Sequence, residues 1–108
     1  MKNEFTIVKY RPTIQLKLTR DSVCMSDDID APHEKIIIQP SFTDTIAFIN
    51  NIKTGYLPNI NGVGHTWNCI LNGTLIGIVS STEITPKIKE INYQEENSIH
   101  FKYNSSKF

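Results

Sequence analysis

The chain has 108 residues, with eleven basic and eleven acidic side chains, so its formal charge is zero with histidine neutral. A general polyanion binder is normally basic, and this balance argues against direct binding of nucleic acid. The length fits one domain, residues 1–108, with a modest core and hardly room for a deeply enclosed cofactor cavity as well.

Zero net charge hides an uneven layout. Lys2, Lys9, Arg11, Lys17 and Arg20 stand against Glu4 in residues 1–20, a surplus of four positive charges. Asp21, Asp27, Asp28, Asp30, Glu34 and Asp44 stand against Lys35 in residues 21–50, a surplus of five negative ones. Seventeen isoleucines favour strand, because β-branched side chains fit a pleated surface. Cys24 and Cys69 lack CxxC spacing, and the N-terminus lacks the apolar core of a signal peptide, which together suit a reducing cytoplasm. No stretch approaches the ~18 apolar residues of a membrane helix.

In chain order, Phe5 to Tyr10 reads as a strand interrupted by Arg11-Pro12. Thr13 to Thr19 alternates cleanly, with Ile14, Leu16 and Leu18 on one face. The two runs form either a hairpin or one bent edge strand. Asp21 to His33 is a loop rich in aspartate and serine, and Glu34 to Gln39 is a strand with both faces partly covered. A helix is expected over residues 42–54. Ser41 is its N-cap, Asp44 a capping-box partner, and Gly55 its left-handed C-terminal stop. Phe42, Ile46, Ile49 and Ile52 form its apolar stripe, with Phe48 at the border. Tyr56 to Gly64 is a turn-rich loop.

The strongest local signal follows. Asn72-Gly73 between two apolar runs predicts a two-residue type I′ hairpin. Simple pairing about this turn sets Cys69 opposite Ile76, Trp67 opposite Ile78 and His65 opposite Ser80. Trp67, Cys69, Leu71, Ile76 and Ile78 then share a core face. Glu83 to Tyr93 is a bent strand or a helical turn around Pro86, Ser98 to Tyr103 is a final strand, and Asn104 to Lys107 is a polar tail. The expected fold is α+β, with a mostly antiparallel sheet of five or six strands and one helix on the Trp67 face.

The chemistry-bearing residues give few patterns. His65 and Cys69 lie about 13 Å apart along a strand and cannot share a metal, and no paired zinc ligands occur. Gly62 and Gly64 precede a strand rather than a helix, so they make no phosphate cradle. Counted from Asp28 as an EF-hand, the sixth position is His33 and the twelfth Gln39, which excludes that calcium loop. No metal or cofactor is expected. Trp67 reads as core. An enzyme reading rests on His65 and His100 as an acid–base pair, for a small hydrolase or nuclease, against two ordinary surface histidines. A structural or self-associating subunit using the basic N-terminal strands is a third reading.

The acidic loop, Asp27, Asp28, Ile29, Asp30, His33 and Glu34, is either a solvated charge run or a docking element for a basic protein, with Ile29 as its apolar contact. Failing that, the surface near Tyr56, Asn59 and Asn61 is the next choice. With the Trp67–Gly77 hairpin, the α+β size and the absence of a catalytic motif, this loop makes the chain resemble the cytoplasmic immunity proteins encoded beside bacterial toxins, as in contact-dependent growth inhibition. The resemblance covers the chain by type and transfers no residue by position. It implies a non-enzymatic inhibitor that binds a cognate toxin, often a nuclease, and blocks its basic active site.

Overall fold

Strict alternation puts Ile14, Leu16, Leu18 and Arg20 on one side of the first described strand, all buried, while Thr13, Gln15 and Lys17 are exposed. The computed structural model describes residues 13–23, 31–58 and 65–105. The expected strand at 5–10 lies outside these residues. Among the described residues six strands form one sheet: β1 (Thr13–Arg20), β2 (Lys35–Pro40), β3 (His65–Leu71), β4 (Thr74–Ser80), β5 (Ile84–Pro86) and β6 (Asn97–Ser105), with one helix, α1 (Thr45–Lys53), between β2 and β3. The spatial order is β2-β1-β6-β3-β4-β5. Every neighbouring pair is antiparallel except β1 and β6, which run parallel. This is the α+β fold expected.

The hairpin turn forms as the Asn-Gly pair dictates, with φ of 49° at Asn72 and 88° at Gly73. Its register differs from simple pairing. Leu71 faces Thr74 and Ile70 faces Leu75, but Cys69 faces Gly77, Trp67 faces Val79 and Thr66 faces Ser80. A bulge at Ile76 inserts one extra residue in β4 and shifts everything beyond it. Val79 rather than Ile78 therefore joins Trp67 in the core. The amide of Lys87 donates to the Ile76 carbonyl at 2.8 Å, so the bulged backbone stays satisfied.

The bulge brings Gly77 beneath the helix. A Cβ there would lie 2.6 Å from Ile49 Cδ1 and 3.2 Å from the Thr85 carbonyl oxygen. Helix α1 thus sits on the face that carries Trp67, with Thr45, Phe48, Ile49 and Ile52 buried. It starts three residues later than expected. Asp44, not Ser41, is the N-cap, and its Oδ2 accepts from the Ala47 amide at 2.8 Å. Phe42 stays outside the helix because the Tyr93 hydroxyl donates to its carbonyl and its own amide donates to Pro40. The buried stripe is Thr45, Phe48, Ile49 and Ile52, so Phe48 lies inside it and Ile46 is left exposed. Thr54 ends the helix in a right-handed conformation, so Gly55 does not act as a left-handed stop.

Pro86 closes the short β5, with no helical turn after it. Strand β6 runs past the expected end, as Asn104 Nδ2 donates to Asn68 Oδ1 at 2.8 Å. The opposite sheet face has no helix over it among the described residues. There Ile36 and Ile38 are 56% and 70% exposed, so β2 is not covered on both faces as its sequence suggested.

Gly77→Val should destabilise the domain by about 1–3 kcal/mol, because the new side chain meets a fully buried isoleucine and a backbone carbonyl. Urea unfolding followed by Trp67 fluorescence measures it. An unchanged midpoint would mean that α1 is not seated on Gly77.

Candidate functional site

The alternation of β1 delivers chemistry to both sides of its C-terminal end. Thr19 points to the open face and Arg20 to the core face. Beyond Arg20 the Asp21 amide donates to the Phe101 carbonyl at 3.0 Å, and the Tyr103 amide donates to Asp21 Oδ2 at 3.0 Å. The aspartate side chain thereby extends the β1–β6 ladder past the end of the strand.

The other carboxylate oxygen, Asp21 Oδ1, lies 3.0 Å from His100 Nε2. His100 Nδ1 lies 2.8 Å from Thr19 Oγ1, and that hydroxyl is 3.4 Å from the Ile99 carbonyl. An ionised carboxylate only accepts, so the His100 proton sits on Nε2 and the Thr19 hydroxyl donates to Nδ1.

On the core side, the Arg20 guanidinium carbon stands 5.9 Å from the Tyr56 ring centroid, and Arg20 Nη1 donates to the Asp21 carbonyl at 3.0 Å. The Tyr56 hydroxyl donates to the His33 carbonyl, and His33 Nε2 pairs with Ser22 Oγ at 3.1 Å. These contacts hold His33 at a φ of 61°, uncommon for a residue with a side chain. The Arg20 amide donates to the Pro32 carbonyl at 3.0 Å. Both stems of the acidic loop are therefore fastened to each other and to the sheet.

His33 and Glu34 of the expected docking residues fall at this clamp, whereas Asp27, Asp28, Ile29 and Asp30 lie outside the described residues. Glu34 stands 3.6 Å from Lys17, an exposed pair that contributes about 0–1 kcal/mol. Each described acid of the anionic stretch has an internal role: Asp21 in the ladder, Glu34 beside Lys17, Asp44 at the helix cap. Tyr56, from the second-choice surface, packs against Arg20 and Phe101, and Asn59 and Asn61 fall outside the described residues.

The two histidines of the enzyme reading are not brought together. In the β3–β6 register His100 faces Ile70 while His65 faces Ser105, five residues apart or about 17 Å along the strand. They also point to opposite faces. His65 stacks on Tyr103 with ring centroids 5.8 Å apart, next to Trp67. The partners His100 does have, Thr19 and Asp21, were invisible in the sequence because 81 and 79 positions separate them from it.

No protein family, curated protein or solved structure matches this chain. Among the described residues no three histidine, cysteine or acidic side chains are grouped to hold a metal, and no helix is long and apolar enough to cross a membrane. Burial pushes the Cys69 thiol well above its ordinary range, leaving it a poor nucleophile.

Tyr56 and Tyr93 are both pushed up from 10.0 to about 12 by burial, with the Arg20 charge opposing the rise at Tyr56. Below pH 10 both hydroxyls keep their protons in either state. As pH rises from about 10 to 12 the unfolded chain loses protons that the folded chain retains, so this contribution to stability is lost across that window. Urea midpoints measured with phenolate absorbance should fall there, and less steeply in Tyr56→Phe. An equal slope in the variant would contradict the buried hydroxyl.

Proposed function

We propose that this chain is a non-enzymatic inhibitor of the immunity type, which neutralises a cognate toxin with a basic surface, in the cytoplasm. The observation that carries the reading is the clamp at the base of the acidic segment. Arg20 bonds to Pro32, Ser22 to His33 and Tyr56 to His33, so the described residues on the two sides of positions 24–30 are braced to one another. A segment delivered from a fixed base costs less ordering entropy on binding. Asp27, Asp28 and Asp30, with Ile29 among them, have the chemistry to meet lysines and arginines that bind phosphate in a nuclease.

The test uses the product of the gene adjacent to this one, purified and titrated calorimetrically. One-to-one binding, together with rescue of growth when both are expressed, supports the proposal. Absence of both sinks it. Replacing Asp27, Asp28 and Asp30 together by lysine should abolish binding while urea stability stays near the parent value. A truncated charge pair at a desolvated contact costs about 2–5 kcal/mol, against about 0.2–1 kcal/mol at an exposed rim. Tight binding by the triple variant would move the interface elsewhere.

A second reading rests on the Thr19–His100–Asp21 chain, which has the order nucleophile, base and orienting carboxylate. It makes the protein a hydrolase of activated esters. The inhibitor reading expects p-nitrophenyl acetate to be cleaved no faster by the parent than by Thr19→Val or His100→Gln. A parent rate at least tenfold above both folded variants would favour the enzyme.

A further inference from the structure

Backbone direction along β1 fixes what β2 offers on its far side. The Arg20 amide points to Pro32, on the β2 side, while the next amide, Asp21, points to Phe101 of β6. Strand amides alternate, so Ile14, Leu16 and Leu18 also aim at β2, where their partners are Gln39, Ile37 and Lys35. The N–H and C=O groups of Ile36 and Ile38 therefore face away from β1. Among the described residues no strand lies beyond them.

Natural edge strands are usually blunted by charge, proline or brevity. The other edge follows that rule, since β5 has three residues and ends in Pro86. In β2 the charge and the proline stand only at the two ends, Lys35 and Pro40, and the middle of the strand is left without either. Between Lys35 and Gln39 it carries three consecutive isoleucines, and Ile36 and Ile38 are the two most exposed large apolar side chains among the described residues.

We propose that β2 is a self-association edge, at which two copies of this chain pair antiparallel about Ile37 to form one continuous sheet. The strand is self-complementary in that register. Ile36 of each copy meets Ile38 of the other, and these are the residues whose backbone groups point outward, so each pair exchanges two hydrogen bonds. Lys35 falls opposite Gln39, so no like charges oppose each other. The four isoleucines of the open face merge into one cluster. A two-fold axis through Ile37 places the two Lys35 ends of β2 at opposite ends of the joined strands. The inference stands independently of the inhibitor reading.

A single strand pair buries less than the ~800 Å² per partner of standard interfaces, so the dimer dissociates in the roughly micromolar-to-millimolar range. Sedimentation velocity of the full chain over a concentration series should show a monomer giving way to a discrete dimer. Ile38→Lys places a charge in the cluster at a position already 70% exposed, and should weaken dimerisation at least tenfold while circular dichroism stays unchanged. Ile38→Pro removes one outward amide without touching the β1 ladder and should do the same. Leu75→Lys, an exposed apolar position on β4, should leave the dimer intact. A parent that stays monomeric throughout the series overturns the proposal. So does a dimer that survives Ile38→Lys, or one that Leu75→Lys weakens equally.

Discussion

Among the described residues one short helix covers a six-stranded sheet, and most features of this fold follow from that mismatch. Nine helical residues span about 13 Å, whereas six strands set about 4.8 Å apart span about 24 Å between the outer two. Helix α1 therefore seats on the β4–β5 side, where the bulge and Gly77 let it approach closely. The rest of the apolar face is roofed by single residues from irregular segments: Val23, Phe42, Tyr56, Leu57, Ile88, Ile91 and Tyr93. Such segments carry polar backbone into a partly buried layer, and side-chain hydroxyls satisfy it. Tyr93 bonds to the Phe42 carbonyl, Tyr56 to the His33 carbonyl and Thr45 to the Ile88 carbonyl.

The parallel β1–β6 pair creates the second demand. It joins the start of the described chain to its end, and β1 stops while β6 runs on. Asp21 fills that gap by offering carboxylate oxygen where the next backbone carbonyl would stand. The same carboxylate anchors His100, so ladder extension and side-chain orientation are coupled in one residue. At the far end of β6, Asn72 does comparable work. It takes the left-handed turn position and bonds through backbone and side chain to Ser98 and Asn97.

Signals confined to neighbouring residues were legible in the sequence. The alternation at 13–19 and 98–103, the Asn72-Gly73 turn and the burial of Trp67 follow from local periodicity and turn chemistry, and the structure has them. The bulge at Ile76 was not legible, because an isoleucine between Leu75 and Gly77 looks the same in either register. Ser41 and Asp44 are both good caps, and the choice between them was made by Tyr93, 51 residues beyond Phe42. Asp21 read only as one charge in an acidic run. Its position beside His100 depends on a parallel pairing that leaves no local trace.

Fastening both stems of the acidic segment has a consequence for how such a protein diversifies. The bond from Arg20 to Pro32 is made by backbone groups, and those from Ser22 and Tyr56 to His33 use residues outside positions 24–30. Those seven positions can change in sequence without removing any of these bonds. The sheet then behaves as a frame into which different recognition sequences are exchanged, each inheriting the same point of attachment. Divergence within the segment and constancy at Ser22, His33 and Tyr56 would be the mark of that arrangement among related chains.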